Sequence, residues 1–197
     1  MLVTDRTICR GSLTDAVSAA LRGGATAVML REKDLAARDL YELALALREV
    51  TRRARALLIV NDRVDVALAT GADGVHLGWK SLPPRKAREV VGPAGLIGVS
   101  THSAEDAWKA EREGADYVTF GPVFPTPSKE GLVEPQGLAG IRRVKESLRI
   151  PLVALGGIDA VNTGDAFRAG ADGVAVIRAL LSADDPEGAA RRMLATR

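Results

Sequence analysis

The chain has 197 residues, a formal net charge of +2 and 47% hydrophobic residues, which suits one domain with a sizeable buried core. The nearly neutral charge gives no support to general nucleic-acid binding, and no apolar run approaches the roughly 18 residues that a membrane span needs. The single cysteine, Cys9, excludes an internal disulfide framework, and with only two histidines a structural zinc site is not expected. The first residues, MLVTDR, predict a strand and not an export signal, so we expect a soluble cytoplasmic protein.

Short apolar runs alternate with amphipathic segments from one end of the chain to the other. The predicted strands are, in chain order, residues 2–4, 27–31, 57–61, 74–78, 96–100, 117–121, 151–157 and 173–177. Segments between them, such as ARDLYELALALREVTRRA, carry apolar residues at the three- and four-residue spacings of helices. Strands this apolar, separated by helices, predict a parallel sheet that is covered on its outer side.

A weak internal repeat supports a closed arrangement of these units. The repeat reads LRGGATAVML, ATGADGVHLG, REGADYVTFG and RAGADGVAVI. In each copy a glycine (Gly24, Gly71, Gly114 or Gly170) ends a helix just before a strand. Eight strand–helix units in one domain fit a closed (β/α)8 barrel, or TIM barrel, better than an open sheet. The sequence therefore predicts a single α/β barrel domain over residues 1–197.

The barrel prediction indicates which polar residues belong to a site, because active sites of such barrels form at the C-terminal ends of the strands. The polar residues that follow the first six predicted strands include Asp5, Arg6, Arg31, Glu32, Lys33, Asn61, Asp62, Arg63, Ser100, Thr101, His102 and Thr126. Cations, hydroxyls, an amide and carboxylates would meet at one mouth. This mixture suits a small anionic ligand.

Two loops near the C-terminus predict a phosphate site. The glycine pair Gly156 and Gly157 leaves backbone N–H groups free to bind a phosphate, and Ile177 with Arg178 adds donors after strand eight. These two loops commonly form the phosphate site of this barrel type. A tight turn that binds no ligand is the alternative explanation of the glycine pair.

The stretch FGPVFPTPSKEG, residues 120–131, follows strand six. This stretch could bind a second phosphate through the hydroxyls of Thr126 and Ser128 and the ammonium of Lys129. A solvated polar turn is the alternative, since proline-containing turns with serine and threonine are common. The position of the stretch before the predicted phosphate site favours phosphate binding.

Other polar residues keep two interpretations each. Residues 31–33 read REK, which is either a ligand-binding group or a surface ion-pair cluster. Its two cations could point to opposite faces, so that only one of them faces the mouth. Asn61 either caps the next helix or binds a ligand, and Asp62 is a candidate metal ligand. We expect His102 in the first turn of a helix and His76 as a core histidine whose hydrogen bonds are satisfied.

The longest informative runs are LVTDR, LREKD, VNDRVDVALATGADGVHLG, IGVSTHSAEDAWKAEREGADYVTFGPVFPTPSKEG and ALGGI. In these runs the chain resembles the thiamin phosphate synthase/TenI family, which includes thiazole tautomerase-like paralogues, over nearly its whole length. The resemblance implies transfer of hydroxymethylpyrimidine from its diphosphate onto thiazole phosphate. Magnesium and basic residues would assist the departure of pyrophosphate, which leaves a pyrimidine cation. The thiazole nitrogen would then attack this cation.

The resemblance also implies roles for individual residues. The diphosphate substrate would be bound by Arg31, Lys33, Asn61 and Lys129, with Ser100 near the pyrophosphate and Asp62 holding Mg²⁺. The thiazole phosphate would be held by Thr126, Ser128, Gly157, Ile177 and Arg178. Of these residues, the catalytic ones would be Arg31, Lys33 and Lys129.

The chain departs from the family pattern at three positions. Met29 stands where the family usually has glutamine, Ser81 stands where a second acidic magnesium ligand aligns, and Arg178 replaces a usual serine. A site with one carboxylate should hold Mg²⁺ less well. An accessory paralogue of the tautomerase type, or a non-catalytic thiazole phosphate binder, is therefore the alternative. Proline at position 122, where the tautomerase histidine aligns, weighs against proton transfer there.

The implied partners are small phosphorylated molecules, with no nucleic acid and no membrane. Barrels of this kind often pair, so a homodimer stays open. A Schiff-base aldolase is a weaker alternative, because no predicted strand carries an interior lysine.

Overall fold

The computed structural model describes residues 1–126 and 133–196. Eight parallel strands of this part form one sheet, in the order of the chain. They are β1 (Leu2–Val3), β2 (Ala27–Leu30), β3 (Leu57–Asn61), β4 (Gly74–Leu77), β5 (Leu96–Thr101), β6 (Tyr117–Phe120), β7 (Leu152–Leu155) and β8 (Gly173–Ala175). A parallel bridge between Leu2 and Val176 joins the first strand to the last, and this closure confirms the (β/α)8 barrel.

Helices alternate with the strands on the outside of the barrel. They are α1 (Leu13–Arg22), α2 (Ala37–Ala54), α3 (Val64–Thr70), α4 (Pro84–Val91), α5 (Ala104–Arg112), α6 (Gly137–Lys145), α7 (Thr163–Arg168), α8 (Arg178–Leu181) and α9 (Pro186–Leu194), with a 3₁₀ helix at Arg6–Ile8. No helix of the described ranges is both long and apolar enough to cross a membrane.

The last two predicted strands are longer than the observed ones. The strand predicted over residues 151–157 ends at Leu155, because Gly156 and Gly157 have φ angles of +98° and +65°, which lie outside the β region. The strand predicted over residues 173–177 ends at Ala175. The chain leaves the sheet early after β7, and residues beyond both strands form part of the cavity mouth.

Side chains alternate between the two faces of each strand, and this alternation separates two apolar regions. On β3, Leu58 and Val60 belong to the large core between sheet and helices, whereas Ile59 points into the barrel. Inside the barrel, Ile59 packs with Val3, Met29 and Ala175, all of them buried. This small inner cluster is an apolar floor beneath the C-terminal mouth.

The internal repeat has a structural explanation at the opposite end of the barrel. In three copies the aspartate of the GAD motif accepts a backbone N–H near the start of the preceding strand and pairs with a cation from the helix before that strand. The three sets are Asp73 with Leu58 N (2.7 Å) and Arg48 (2.6 Å), Asp116 with Ile97 N (2.7 Å) and Arg88 (2.6 Å), and Asp172 with Leu152 N (2.8 Å) and Lys145 (2.9 Å). The repeat therefore joins neighbouring units away from the mouth.

Candidate active site

A cavity of about 600 Å³ opens at the C-terminal ends of the strands. Residues on or just beyond all eight strands line it, as expected for a closed barrel. Its volume lies in the usual range for small-molecule sites. The floor is apolar and includes Val3, Met29, Leu155 and Ala175, whereas the rim carries the cationic and polar groups.

Most of the site residues predicted from the sequence line this one cavity. They are Arg31, Lys33, Asn61, Ser100, Thr126, Gly157, Ile177 and Arg178. Asp62 is exposed and is not among the lining residues. Ser128 and Lys129 lie outside the described residues.

Both cations at the end of β2 line the cavity, so the interpretation that only one of them faces the mouth is wrong. Arg31 and Lys33 line it together, because residues two apart on an extended chain share a face. Glu32, between them, points away, and its side chain is only 2% exposed. The two carboxylate oxygens of Glu32 accept from the backbone N of Arg6 at 3.1 and 3.2 Å.

The ion-pair cluster expected at the REK stretch is formed in part, because Glu32 pairs with Arg6 of the preceding loop. The Arg6 guanidinium donates to Glu32 at 3.1 Å and to both oxygens of Asp34 at 2.7 and 2.6 Å. The hydrogen bonds from Arg6 lower the pKa of Asp34 to about 2. Arg6 thereby ties the loop after β1 to the loop after β2 and leaves Arg31 and Lys33 directed at the cavity.

A buried polar group forms one wall of the cavity. His76 is 2% exposed; its Nε2 lies 2.9 Å from Ser100 Oγ and 3.3 Å from Thr119 Oγ1, and its Nδ1 lies 3.1 Å from the Tyr117 hydroxyl. Burial, helped by the positive charge of Arg31, lowers the pKa of His76 to about 3. The imidazole is therefore neutral at pH 7.

The satisfied hydrogen bonds expected of His76 are confirmed, and this core histidine also lines the cavity. The signal for this position was present in the alternation of β4. Val75 and Leu77 belong to the outer core, so the residue between them had to point into the barrel.

His102 does not lie in the first turn of a helix, so that expectation is wrong. Helix α5 begins at Ala104, with Ser103 as its N-cap, and Ser103 Oγ accepts from Asp106 N at 3.1 Å. Nδ1 of His102 is hydrogen-bonded to the carbonyl oxygen of Gly121. His102 therefore links the loops after β5 and β6 and lines the cavity from there.

The capping interpretation of Asn61 is also wrong. The N-cap position of α3 is Arg63, and no side chain caps this helix. Asn61 instead lines the cavity at the end of β3. Asp62 follows with a φ angle of +66°, a sparsely populated region that aspartate tolerates better than most residues, and its backbone N donates to His76 O at 2.8 Å.

The glycine pair after β7 allows close packing against the loop after β6. A Cβ atom at Gly157 would lie 2.6 Å from the carbonyl oxygen of Pro125, and one at Gly156 would lie 2.6 Å from Cα of Pro122. Both neighbours are backbone atoms, so a larger residue would displace the loop. Gly157 and Thr126 both line the cavity.

The end of β8 completes the rim on the same side. Ile177 is the N-cap of α8, and Arg178 is the first residue of this four-residue helix. Both residues line the cavity, so the end of β8 adds a cationic residue to its rim. The cavity thus has positive groups at the ends of β2 and β8, the two strands that flank β1 in the closed barrel.

The described residues do not contain a preformed metal cage, since no group of three or more histidine, cysteine, aspartate or glutamate side chains occurs among them. Ser81, where a second acidic ligand was expected by alignment, uses its Oγ to accept from Gly78 N at 2.7 Å. Asp62 is one exposed carboxylate near the rim. Mg²⁺ commonly binds through one or two carboxylates together with substrate phosphates and water, and this donor set fits that mode.

Comparison with known proteins gives consistent results. A family model described as thiamine monophosphate synthase matches residues 1–180. The thiamine-phosphate synthase of Chloroflexus aurantiacus is 49% identical over 195 residues, covering 98% of this chain and 90% of that protein. The thiamine-phosphate synthase of Methanoculleus marisnigri is 50% identical over 193 residues, covering 98% and 92%.

Solved structures agree with the sequence relatives. The thiamine phosphate pyrophosphorylase from Pyrococcus furiosus superposes with a TM-score of 0.91 at 42% identity, covering 99% of this chain and 93% of that one. A 3-hexulose-6-phosphate synthase, at 18% identity and a TM-score of 0.72, shares the fold. The relatives do not favour the accessory-paralogue alternative. The family resemblance seen in the sequence is therefore confirmed, and the chain belongs to the thiamine monophosphate synthase family.

Proposed function

We propose that this chain is a thiamine-phosphate synthase that transfers hydroxymethylpyrimidine from its diphosphate to thiazole phosphate and releases pyrophosphate. The observation that carries the proposal is one cavity that combines an apolar floor with cations from the ends of β2 and β8. Family membership and relatives named thiamine-phosphate synthase support the same reaction.

The diphosphate would bind at the β2 and β3 side of the cavity. Arg31 and Lys33 bring positive charge to the place where the leaving pyrophosphate gains negative charge. Asn61 and Ser100, from β3 and β5, add neutral polar groups beside them. Lys129 stays a predicted catalytic residue on the strength of the family motif.

Magnesium, when bound with the diphosphate, would offset further charge on the leaving group. Asp62 would hold the ion at the rim, and phosphate oxygens and water would supply the other ligands. This arrangement explains how one carboxylate can serve where alignment suggests two.

The thiazole phosphate would bind at the β7 and β8 side. Gly157 and Ile177 would offer backbone N–H groups, and Arg178 a positive charge. Thr126 lines the same rim, and Ser128 stays a predicted contact from the sequence.

The reaction breaks the bond between the pyrimidine methylene carbon and the diphosphate oxygen, and pyrophosphate leaves with the electron pair. The lone pair of the thiazole nitrogen then forms the new C–N bond. The apolar floor, including Met29 and Leu155, would exclude water from the pyrimidine cation. A neutral His76 nearby adds no positive charge that would oppose the cation.

The deciding experiment is a coupling assay with the purified chain, both substrates and either Mg²⁺ or a chelator. We expect thiamine phosphate and pyrophosphate in equal amounts, only when the metal is present. Binding of thiazole phosphate with no product under any metal condition would contradict the synthase assignment.

The proposed substrates also define the expected partners and location. Small phosphorylated metabolites favour a cytoplasmic enzyme with no nucleic-acid partner. Light scattering of the purified chain would test whether it forms a homodimer.

A further inference from the structure

Tyr117 and His76 form a buried contact on the inner wall of the barrel. The two side chains lie on β6 and β4, with their ring centroids 5.6 Å apart, and β5 runs between them. Gly98 of β5 makes room for the contact. A Cβ atom at Gly98 would lie 2.4 Å from the Tyr117 hydroxyl and 2.5 Å from His76 Nδ1.

The direction of the Tyr117–His76 hydrogen bond follows from what the phenol can do with its proton. Among the described residues, His76 Nδ1 is the only hydrogen-bond partner of the Tyr117 hydroxyl. If Nδ1 carried the proton, the phenol would accept, and its own buried proton would have no acceptor. An unsatisfied buried donor is costly, so the phenol must donate to Nδ1.

A neutral imidazole has one proton, and if Nδ1 accepts, Nε2 carries it. Burial raises the pKa of Tyr117, so the phenol keeps its proton at neutral pH. His76 Nε2–H then donates to Ser100 Oγ at 2.9 Å, with Thr119 Oγ1 farther away at 3.3 Å. Thr119 lines the cavity, so its hydroxyl, unlike the phenol of Tyr117, is not restricted to this one partner. Ser100 Oγ is thus used as an acceptor, and no described residue accepts the Ser100 proton.

We propose that Tyr117 is a positioning residue, whose hydroxyl holds the His76 proton on Nε2 and so makes Ser100 direct its own O–H into the cavity. An anionic oxygen bound there would receive a hydrogen bond. With the opposite tautomer Ser100 would donate to Nε2 and present lone pairs to the anion. That the anion is the leaving pyrophosphate rests on the proposed function.

The first test locates the proton in the free protein and needs neither ligand nor turnover. Long-range ¹⁵N–¹H correlation spectra of ¹⁵N-histidine-labelled protein distinguish the two tautomers. The chain has only two histidines, and His102→Gln assigns the signals of His76. We expect the proton on Nε2 in the wild type and a mixture of tautomers in Tyr117→Phe. A proton on Nδ1 in the wild type would overturn the inference.

The second test is a double-mutant cycle with inorganic pyrophosphate and Mg²⁺ as the probe, followed by calorimetry. We expect Ser100→Ala to weaken binding about tenfold and Tyr117→Phe about three- to tenfold, as for loss or misdirection of one hydrogen bond to a charged group. If Tyr117 acts through Ser100, adding Tyr117→Phe to Ser100→Ala weakens binding no further. Fully additive losses would contradict this dependence.

Tyr41→Phe is the matched control, because Tyr41 is the other tyrosine of the chain and lies on α2 with 37% exposure. It should bind pyrophosphate as the wild type does. If Ser100→Ala leaves pyrophosphate binding unchanged, the inference is wrong, although the coupling reaction can still be correct. If the tautomer and the cycle agree with the inference but no coupling occurs, the proposed function alone fails.

Discussion

Asp116 holds Arg88 and the backbone of β5 with one carboxylate oxygen. Oδ2 of Asp116 accepts from Arg88 Nη2 at 2.6 Å and from Ile97 N at 2.7 Å. Equivalent contacts at Asp73 and Asp172 show that the internal repeat joins strands and helices on the face opposite the cavity. In barrels of this type that face contributes to stability and not to catalysis.

We therefore expect Asp116→Ala to lower the free energy of unfolding by about 2 kcal/mol, because it leaves the buried N–H of Ile97 without a partner. Urea unfolding followed by circular dichroism measures this change. Asp65→Ala removes an exposed partner of Arg63 and serves as the control, with a loss of about 0.5 kcal/mol or less. The coupling rate per folded molecule of Asp116→Ala should equal that of the wild type. A lower rate would show that Asp116 also affects the active site.

Gly157→Ala should impair binding of thiazole phosphate. The new methyl group would meet the carbonyl oxygen of Pro125 at 2.6 Å, at a backbone φ of +65° that disfavours L side chains. We expect the KM for thiazole phosphate to rise about tenfold or more, as after loss of a charge-assisted hydrogen bond. Steady-state kinetics with the diphosphate substrate at saturation measures this effect.

Gly114→Ala is the control for Gly157→Ala, because it introduces backbone strain without the steric clash. Gly114 has a φ of +89°, but a methyl group added there would meet no atom of the described residues within 4 Å, and the position lies at the other end of the barrel. Gly114→Ala should lose about 1 kcal/mol of stability with unchanged KM. Equal KM values for Gly157→Ala and Gly114→Ala would exclude the proposed phosphate role of Gly157.

Arg31→Gln should reduce kcat for coupling about 100-fold, the usual scale for removal of one group that stabilises transition-state charge. Stopped assays of pyrophosphate release give this value. Arg53→Gln, on the exposed side of α2, is the control and should retain the wild-type kcat. Because Arg31 also contributes to the lowered pKa of His76, that pKa should rise in Arg31→Gln. An unchanged kcat would remove Arg31 from the diphosphate site.

Acid should destabilise the protein partly through His76. Its pKa is about 3 in the folded chain and about 6.5 when unfolded, so the unfolded state binds more protons between these values. Stability from this group is complete above pH 6.5 and falls as the pH drops toward 3, by at most about 1.4 kcal/mol per unit.

His76→Gln tests the acid effect, since glutamine keeps polar contacts but cannot take up a proton. Its urea midpoint should fall less between pH 6 and pH 4 than that of the wild type, after each is scaled to its value at pH 7. His102→Gln controls for the loss of an imidazole and should behave as the wild type does. The same acid loss in His76→Gln and the wild type would show that other groups cause it.

Asp62→Asn should raise the Mg²⁺ concentration needed for half-maximal coupling by about tenfold or more, because it removes one anionic ligand. A metal titration at fixed substrate concentrations measures the shift. Asp65→Asn, three residues away on the first turn of α3, should leave the metal requirement unchanged. A wild-type titration curve for Asp62→Asn would exclude Asp62 as the ligand.

The barrel and the general position of the site could be predicted from the chain alone. Apolar runs separated by amphipathic segments predict parallel strands with outer helices. Active sites of such barrels lie at the C-terminal ends of the strands, and this rule pointed to Arg31, Lys33, Asn61 and Ser100. Local pattern was sufficient because strand periodicity and connection order determine which residues meet at a barrel end.

Local pattern was not sufficient for the helix caps and the internal contacts. Asn61 and His102 sit where capping rules favour a helix start, yet α3 and α5 begin later and both side chains line the cavity. Their conformations depend on neighbouring units of the barrel, because the backbone of Asp62 is hydrogen-bonded to His76 of β4 and the ring of His102 to Gly121 in the loop after β6. Such contacts between distant residues override local propensity.

The amino-acid sequence by itself determined the fold class, the family and the face of the barrel that carries the polar residues, because these depend on periodicity and motif. Only the tertiary structure decided that Tyr117, His76 and Ser100 form one hydrogen-bonded series across three strands. It also decided that Arg6 pairs with Glu32, while Arg31 and Lys33 line the cavity. The contacts of His76 and of Arg6 join residues 24 to 43 positions apart in the chain, and the barrel brings them within hydrogen-bonding distance.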